Sequence, residues 1–329
     1  MKAKFRRTLR NLAVYTILGL LLFFALRNAP LSDIWLGLKQ LKLWQLATLL
    51  GLNLAIYVLI TLRWWLIARA GRRDLSFLPL LGVRVSVFGV SYFTLGPHIG
   101  GEPLQVLYMQ RKYGMSYTHA TSTVVMDKLL ELLANFFLLG FGLTGILQAG
   151  ILSTDGSRPL LSLIGLVILL MWPPLHIILL YYGRYPIRAF LHSAAFIKRN
   201  SKPVRFIVAS ERLAAQFCRR NLSSLMLAMF ISVVAAAGMV SEFFLFTSFL
   251  QLDLSFWQTI AAWTAGWLSL LAPLPGGLGA LEASQVFALG LFGIPAASAI
   301  SVTLIMRGRD LLVGGIGLLL AGRGLERRA

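Results

Sequence analysis

The sequence predicts an all-α integral membrane protein with six full transmembrane helices plus two re-entrant helical hairpins in inverted repeats. Three observations predict this fold: an apolar composition, long apolar runs, and two apolar stretches broken by proline and glycine. Of the 329 residues, 57% are hydrophobic and 13% are charged, whereas soluble domains carry about 25% charged residues. Lipid is therefore the solvent for most of the chain, and we interpret residues 1–329 as a single membrane domain.

The balance of charges and the scarcity of cysteine exclude several classes of function. The net charge of +19 comes from 31 Lys and Arg against 12 acids. In a membrane protein this excess favours an anionic membrane surface as a partner over nucleic acid. The single cysteine excludes an intramolecular disulfide, and the four scattered histidines lack metal-ligand spacing. Because no nucleotide-binding loop is present either, we expect neither a metal site nor a cofactor.

Six apolar runs are candidates for full spans, since a bilayer core needs about 20 apolar residues per helix. In chain order they are about 11–26, 43–68, 120–149, 159–182, 222–250 and 295–321. Five basic residues precede the first run, as they do in a signal peptide. No convincing cleavage site of small residues follows that run, so we expect it to be retained as a first span.

Two further apolar stretches contain clusters of proline and glycine that a helix cannot continue through. Residues 77–95 end at segment 96–102, which reads Gly-Pro-His-Ile-Gly-Gly-Glu. Residues 256–271 end at segment 272–279, which reads Ala-Pro-Leu-Pro-Gly-Gly-Leu-Gly. We expect each stretch to form a helix–break–helix hairpin that enters and leaves the membrane on one side. Irregular backbone at membrane depth is tolerated only within protein or along a wet cavity, so the breaks indicate a functional region.

The distribution of basic residues indicates the orientation of the chain. With both hairpins re-entrant, 22 Lys and Arg lie in loops on one side and four on the other. This is a strong positive-inside pattern, and it makes both termini cytoplasmic. Residues 183–221 hold nine of these basic residues, with apolar residues between them. The segment is either an amphipathic element on the anionic cytoplasmic face or a solvated basic loop that enforces the topology.

The two breaks belong to an internal repeat whose halves are about 77–149 and 256–321. The aligned positions, at offsets of 176 and then 179 residues, are Pro97/Pro273, Gly100/Gly276, Gly101/Gly277, Gly114/Gly293, Ala120/Ala299, Lys128/Arg307 and Glu131/Asp310. By the topology above, the first hairpin enters from the cytoplasm and the second from outside. The halves are then inverted, as in transporters that bind their substrate at the repeat interface.

Ten charged residues within membrane segments are candidate site residues: Arg84, Glu102, Asp127, Lys128, Glu131, Glu242, Glu282, Arg307, Arg309 and Asp310. Each costs roughly 2.5–3.5 kcal/mol at the centre of a membrane helix, so we expect them to face one another or a wet cavity. The breaks add a second set of candidates: His98, Gly100, Gly101, Pro273, Pro275, Gly276, Gly277 and Gly279. Together these residues are the predicted substrate-binding or translocation site.

Two readings of the charged pairs remain open. Lys128 and Glu131 share a helical face, as do Arg307 and Asp310. The pairs either hold the two halves together or provide, through Lys128 and Arg307, cationic partners for a phosphate. Breaks rich in glycine add free backbone N–H groups and helix N-termini, which also favour anions.

The roles of two further ionisable residues also stay open. Glu242 pairs with Arg309 or with Arg84, or it carries a proton under the influence of burial. His98 lies in the first break, where a lone histidine is more often a hydrogen-bond partner than a proton relay. No activated nucleophile accompanies the membrane acids, so no catalytic residue is predicted.

Three segments resemble the membrane region of lysylphosphatidylglycerol synthase/flippase proteins: 100–102, 123–131 and 273–282. The third, Pro-Leu-Pro-Gly-Gly-Leu-Gly-Ala-Leu-Glu, is the most specific, and the similarity covers nearly the whole chain. Two features depart from the family pattern. Gln105 occupies a position where the family often has Arg. The family's Glu-Arg-x-x-Asp appears as Asp127-Lys128-x-x-Glu131, with the same charge signs.

The resemblance implies a stand-alone, flippase-like protein of a bacterial inner membrane, without the soluble aminoacyl-transferase domain of the two-part proteins. The implied function is transport of a phosphate-bearing lipid, either a phospholipid or a polyprenyl phosphate, with Lys128, Arg307 and Arg309 at the phosphate. One alternative is a membrane-embedded transferase that modifies lipids. Another is a non-catalytic partner subunit of a cell-envelope synthase. The sequence carries no indication of the oligomeric state.

Overall fold

The structure is a computed structural model that describes residues 39, 41–94, 100–148, 157–193, 201–271 and 274–326. Every regular element in these ranges is helical, as the sequence predicts. In chain order they are α1 (Leu43–Arg69), α2 (Phe77–Phe93), α3 (Glu102–Tyr113), α4 (Tyr117–Gln148), α5 (Ser157–Tyr181), α6 (Pro186–Ser193), α7 (Lys202–Arg220), α8 (Leu222–Phe249), α9 (Phe256–Ser269), a 3-10 turn (Pro275–Gly277), α10 (Ala280–Gly290) and α11 (Ala296–Glu326).

Two of the described helices, α1 and α8, are long and apolar enough to cross a membrane. They contain 27 and 28 residues, more than the roughly 20 that a bilayer core requires. The predicted first span, 11–26, lies outside the described residues. The other predicted spans, at 120–149, 159–182 and 295–321, coincide with helices α4, α5 and α11. The count of six spans stays a prediction.

The second apolar stretch is interrupted where proline and glycine predict it. Gly276 and Gly277 have φ angles of +59° and +62°, in the left-handed region that glycine adopts without a steric penalty. On either side of the break, α9 and α10 run antiparallel and pack together. Gln285 Nε2 on α10 donates to the carbonyl oxygen of Ala262 on α9 at 2.8 Å. The break therefore makes a helical hairpin.

The first apolar stretch is interrupted as well. Helix α2 ends at Phe93, and α3 begins at Glu102. The backbone of Gly101 lies directly against α2: a Cβ at this position would be 2.4 Å from the carbonyl oxygen of Val87 and 2.6 Å from Ser91 Oγ. Only glycine allows the chain to return to α2 at this distance.

The chain divides into two compact units. Unit 1 comprises Met1–Tyr57, Leu78–Leu104 and Val240–Ala329. Unit 2 comprises Val58–Phe77 and Gln105–Met239. Unit 1 thus includes the second hairpin and α11, and unit 2 includes α4 to α7.

Within unit 1, helices α2 and α11 approach each other at their backbones. A Cβ on Gly89 would lie 2.5 Å from the carbonyl oxygen of Gly314, and a Cβ on Gly317 would lie 2.2 Å from that of Val85. Small residues allow this close approach between membrane helices, where packing rather than hydrophobic burial drives association. The contact places the end of α2 beside the helix that bears Arg307.

Unit 2 has an apolar core to which helices α1, α4, α5, α7 and α8 contribute. Its buried members include Ile67, Met126, Leu129, Leu130, Ile177, Leu180, Ala214, Ala215, Phe217, Cys218, Leu225 and Ala228. Four of these lie on α7, which belongs to the basic segment 183–221. One face of this helix is therefore packed against protein.

Candidate functional site

Arg307 is a buried cation on α11 that holds the tip of the second hairpin, and its side chain is only 2% exposed. Its Nε and Nη2 both donate to the carboxylate of Glu282, with Nη2 at 2.6 Å from Oε2. Nη1 and Nη2 also donate to the carbonyl oxygens of Gly276 and Gly277, at 2.8 and 3.2 Å. The planar fork of the guanidinium thus satisfies a carboxylate and two turn carbonyls together. We call these four residues the Arg307 cluster.

Tyr92 at the end of α2 also contacts this cluster. A Cβ on Gly276 would lie 3.3 Å from Tyr92 Cε1 and 3.4 Å from the tyrosine hydroxyl oxygen. Within unit 1, therefore, the helix before the first break contacts the tip of the second hairpin.

Of the two readings open for Arg307 and Asp310, the structure does not show an ion pair between these two side chains. Asp310 accepts instead from the adjacent Arg309, whose Nη2 lies 2.7 Å from Oδ1. The reason is that Arg307 has a better partner across the fold, because Glu282 offers both carboxylate oxygens to its fork.

Arg309 lies between two carboxylates in unit 1. Its Nη1 donates to Glu242 Oε2, and its Nε donates to Asp310 Oδ1 at 2.9 Å. Asn53 Nδ2 on α1 donates to the other oxygen of Glu242 at 3.0 Å. Of the alternatives open for Glu242, the structure shows the pairing with Arg309. This Arg309 cluster has two carboxylates for one guanidinium.

Unit 2 contains a third group of ion pairs, the Arg63 cluster. Arg63 Nε donates to Asp127 Oδ1 at 2.7 Å, and both side chains are at most 2% exposed. Arg63 also contacts Ser232 Oγ at 3.4 Å and Glu131 Oε2 at 3.5 Å. Lys128 Nζ lies 3.2 Å from Glu131 Oε1, as the spacing of the two residues predicts, and Lys128 is 28% exposed. The cluster is therefore buried at Arg63 and open at Lys128.

Each break is followed by a glutamate that caps the next helix. The N–H of Gly100 donates to Glu102 Oε2 at 2.8 Å, and that of Gly279 donates to Glu282 Oε2 at 3.0 Å. The acids thus satisfy backbone donors that have no partner within the helix. The two breaks share this local arrangement.

The remaining predicted residues are placed as follows. Arg84 is buried on α2, and Pro275 begins the 3-10 turn. His98 and Pro273 lie outside the described residues. In the described part of the chain, no group of three His, Cys, Asp or Glu could hold a metal ion.

Four residues that belong to or contact these clusters are missing from the predicted site: Arg63, Asn53, Tyr92 and Ser232. A single arginine within the apolar run 43–68 was a usable signal for Arg63, since a charge there needs a partner. Asn53 and Tyr92 give no comparable signal, because polar residues of this kind are frequent in membrane helices.

A comparison with protein families matches residues 11–317 to the lysylphosphatidylglycerol synthase TM region. The chain belongs to this family. A UPF0104 membrane protein of Pyrococcus horikoshii is 26% identical over 306 residues, covering 83% of this chain and 87% of that protein. No solved structure matches the chain. The resemblance seen in the sequence is thereby confirmed, and the matched region of this family member contains all the charge clusters.

The basic segment of this family member forms two helices, α6 and α7. Glu211 on α7 is buried and accepts from the N–H groups of Ile187 and Arg188, at 2.7 and 2.9 Å, at the start of α6. Burial raises the pKa of Glu211 above its ordinary value, and the two amide hydrogen bonds offset only part of that effect. Glu211 joins the two helices, while contact of the segment with a membrane surface stays a prediction.

Proposed function

We propose that this protein moves a phosphate-bearing lipid headgroup across its membrane along a hydrated path that the Arg63 cluster lines. The observation that carries the proposal is the Arg63 cluster, a set of buried ion pairs on apolar helices that ends at the partly exposed Lys128. Charges in such helices are expensive unless they face protein or water. A headgroup that crosses the bilayer needs the same shelter, while its acyl chains remain in lipid.

Re-entry of both hairpins is part of the proposal and is supported by the lengths of their helices. Helices α3, α9 and α10 have 12, 14 and 11 residues, and α2 has 17. Each is shorter than the roughly 20 residues that cross a bilayer core. Two such arms joined by a break enter and leave the membrane on one side more readily than they span it twice.

We assign different roles to the cations that sequence reasoning placed together at the phosphate. Lys128 contacts the phosphate, because it is the most exposed of the clustered cations and its ion pair with Glu131 lies on the surface of its own helix. Arg307 and Arg309 act as positioning residues, since carboxylates and carbonyls already occupy their guanidinium groups. Arg307 keeps the hairpin tip in place while the headgroup passes.

The proposed orientation of the chain in the membrane and the proposed class of substrate are both inferred from the distribution of charged residues. The excess of basic residues in loops on one side supports cytoplasmic termini in a bacterial inner membrane. An anionic cytoplasmic leaflet then contacts segment 183–221. A phospholipid or a polyprenyl phosphate presents the phosphate that Lys128 recognises as a point charge.

The test is lipid movement in proteoliposomes that contain phosphatidylethanolamine with a dithionite-reducible fluorophore on its headgroup. Wild-type protein is expected to expose the inner-leaflet lipid to dithionite. Lys128→Gln is expected to slow exposure at least about tenfold, on the scale of one lost charge-assisted contact. Its unfolding free energy should change by no more than about 1 kcal/mol, because the lost ion pair is partly exposed.

The matched control is Arg72→Gln, which breaks the exposed pair with Asp74 and is expected to leave the rate unchanged. If Lys128→Gln and wild-type protein expose lipid equally fast, the assignment of Lys128 is wrong. If wild-type protein exposes neither this lipid nor a polyprenyl phosphate faster than empty vesicles, the transport proposal fails.

A further inference from the structure

Unit 2 contains a cavity that the charge clusters do not use. Its volume is about 170 Å³, and residues of α1, α4 and α7 and of the adjoining turns line it. The apolar part of the wall includes Ile67, Met126 and Phe217. The polar part consists of His119, Ser122, Thr123, Gln216, Arg220 and Asn221. The apolar wall can thus contact the carbon atoms of a ligand, and the polar wall can bind an anionic group.

His119 is placed at this cavity by a glycine. A Cβ on Gly71 would lie 2.1 Å from His119 Nε2, so any larger residue at position 71 would displace the imidazole. Ser116 Oγ accepts the backbone N–H of His119 at 3.3 Å and holds the start of α4. The ring therefore lines the cavity because position 71 has no side chain.

The two strongest donors at the cavity are available to a ligand. Within the ranges that the structure describes, the side chains of His119 and Arg220 form neither an ion pair nor a hydrogen bond with protein. A neutral imidazole offers one N–H donor and a guanidinium offers five. Arg220 carries the only formal charge on the described cavity wall, so the wall is cationic.

We propose that this cavity is a binding site for a phosphate ester or phosphate, with Arg220 as the bidentate partner and His119 as a second donor. A guanidinium fork matches the geometry of two phosphate oxygens. Ser122, Thr123 and Asn221 are polar neighbours for the remaining oxygens, and the apolar wall contacts the carbon of an ester. The site is separate from Lys128 and does not depend on the transport proposal.

The volume limits what can bind. Pockets for drug-sized molecules measure roughly 300–1,000 Å³, and a cavity of about 150 Å³ holds a single benzene. A space of about 170 Å³ therefore takes a headgroup rather than a whole lipid. The acyl chains of a bound lipid lie outside the cavity, so a lipid headgroup and free phosphate share the same recognition chemistry.

The test is native mass spectrometry of the full chain in mild detergent, with dihexanoyl phosphatidylglycerol, dihexanoylglycerol and inorganic phosphate as separate probes. Phosphatidylglycerol is expected to bind and dihexanoylglycerol is not. Arg220→Gln should weaken binding about tenfold or more, the scale of a hydrogen bond to a charged group. Arg219→Gln is the matched control and should stay within about twofold, since that guanidinium lies against Gly183 instead.

A second variant keeps the charge of Arg220 and fills part of the cavity. Ala70 lines the cavity, and Ala70→Leu should abolish binding while circular dichroism shows a folded protein. Displacement of phosphatidylglycerol by millimolar phosphate identifies free phosphate as a ligand, and binding of the lipid alone identifies a headgroup. The proposal is overturned if the phosphate-free lipid binds equally well, if no phosphate-bearing probe binds, or if Arg220→Gln binds like wild type.

Discussion

Lys128 and Arg307 occupy matching positions of the predicted internal repeat, yet their surroundings differ. In unit 1, Arg307 donates to Glu282 and to two carbonyls of the hairpin tip, and it is almost fully buried. In unit 2, Lys128 pairs with Glu131 on its own helix and is partly exposed. The two positions thus share the sign of the charge but not its contacts. One cation stabilises a break in the backbone, and the other lies at the open end of a cluster.

The clusters also differ in charge balance. The Arg307 cluster pairs one cation with one carboxylate, and the Arg63 cluster, with Lys128 included, pairs two with two. The Arg309 cluster has two carboxylates for one cation. The first two clusters are neutral overall, whereas the Arg309 cluster has one carboxylate more than it has cations. Substitutions in each region can therefore separate their roles.

The largest expected effect is that of Arg307→Met. This change removes the guanidinium from two turn carbonyls and leaves the Glu282 carboxylate with only the N–H of Gly279, so we expect a loss of about 3–5 kcal/mol in unfolding free energy. Thermal and denaturant unfolding in detergent measure it. Arg72→Met, which breaks an exposed pair, is the control and should cost under about 1 kcal/mol. Equal effects of the two changes would show that Arg307 does not hold the hairpin tip.

Asp127→Asn should have a smaller effect. Arg63 loses its partner at 2.7 Å but keeps Glu131 at 3.5 Å, so we expect a loss of about 2–3 kcal/mol. Ser232→Ala removes only a contact of 3.4 Å and should cost about 0.5–1 kcal/mol. The same unfolding measurement ranks the two variants. The reverse ranking would remove Asp127 as the main partner of Arg63.

Gly276→Ala should have the smallest effect of the three. A residue with a Cβ in the left-handed region costs about 1–2 kcal/mol, and the Tyr92 ring lies close to position 276. Gly82→Ala on α2 is the opposite case, because a Cβ there meets no atom within 4 Å. That change should stabilise the protein by about 0.5–1 kcal/mol. A neutral or stabilising Gly276→Ala would contradict the left-handed turn.

Features that depend on residues close together in the sequence could be predicted. The breaks followed from proline and glycine, which stop a helix wherever they cluster. The Lys128–Glu131 pair followed from their spacing on one helix. The pairing of Arg307 with Glu282, 25 residues away, could not be predicted in this way. Glu282 and Asp310 are both candidate partners for this arginine, and the packing of α10 on α11 decides between them.

Contacts between distant helices could not be predicted from one sequence. Arg63 and Asp127 are 64 positions apart, and nothing in the sequence aligns α1 with α4. The cavity beside His119 could not be predicted for the same reason, since several helices form its wall. The role of Gly71 also depends on a contact with His119 that only the fold creates. Patterns within one helix can therefore be predicted from the sequence, whereas the register between helices cannot.

The most direct test of the account is the side from which the flanks of each hairpin are reached. In a Cys218→Ser background, single cysteines replace Asp74 and Ser116 around the first hairpin and Asp253 and Ala296 around the second. A membrane-impermeant maleimide is applied to intact and to permeabilised cells. Re-entrant, inverted hairpins predict that the first pair reacts only after permeabilisation and that the second pair reacts in intact cells. Reaction of the two members of one pair from opposite sides would contradict the account.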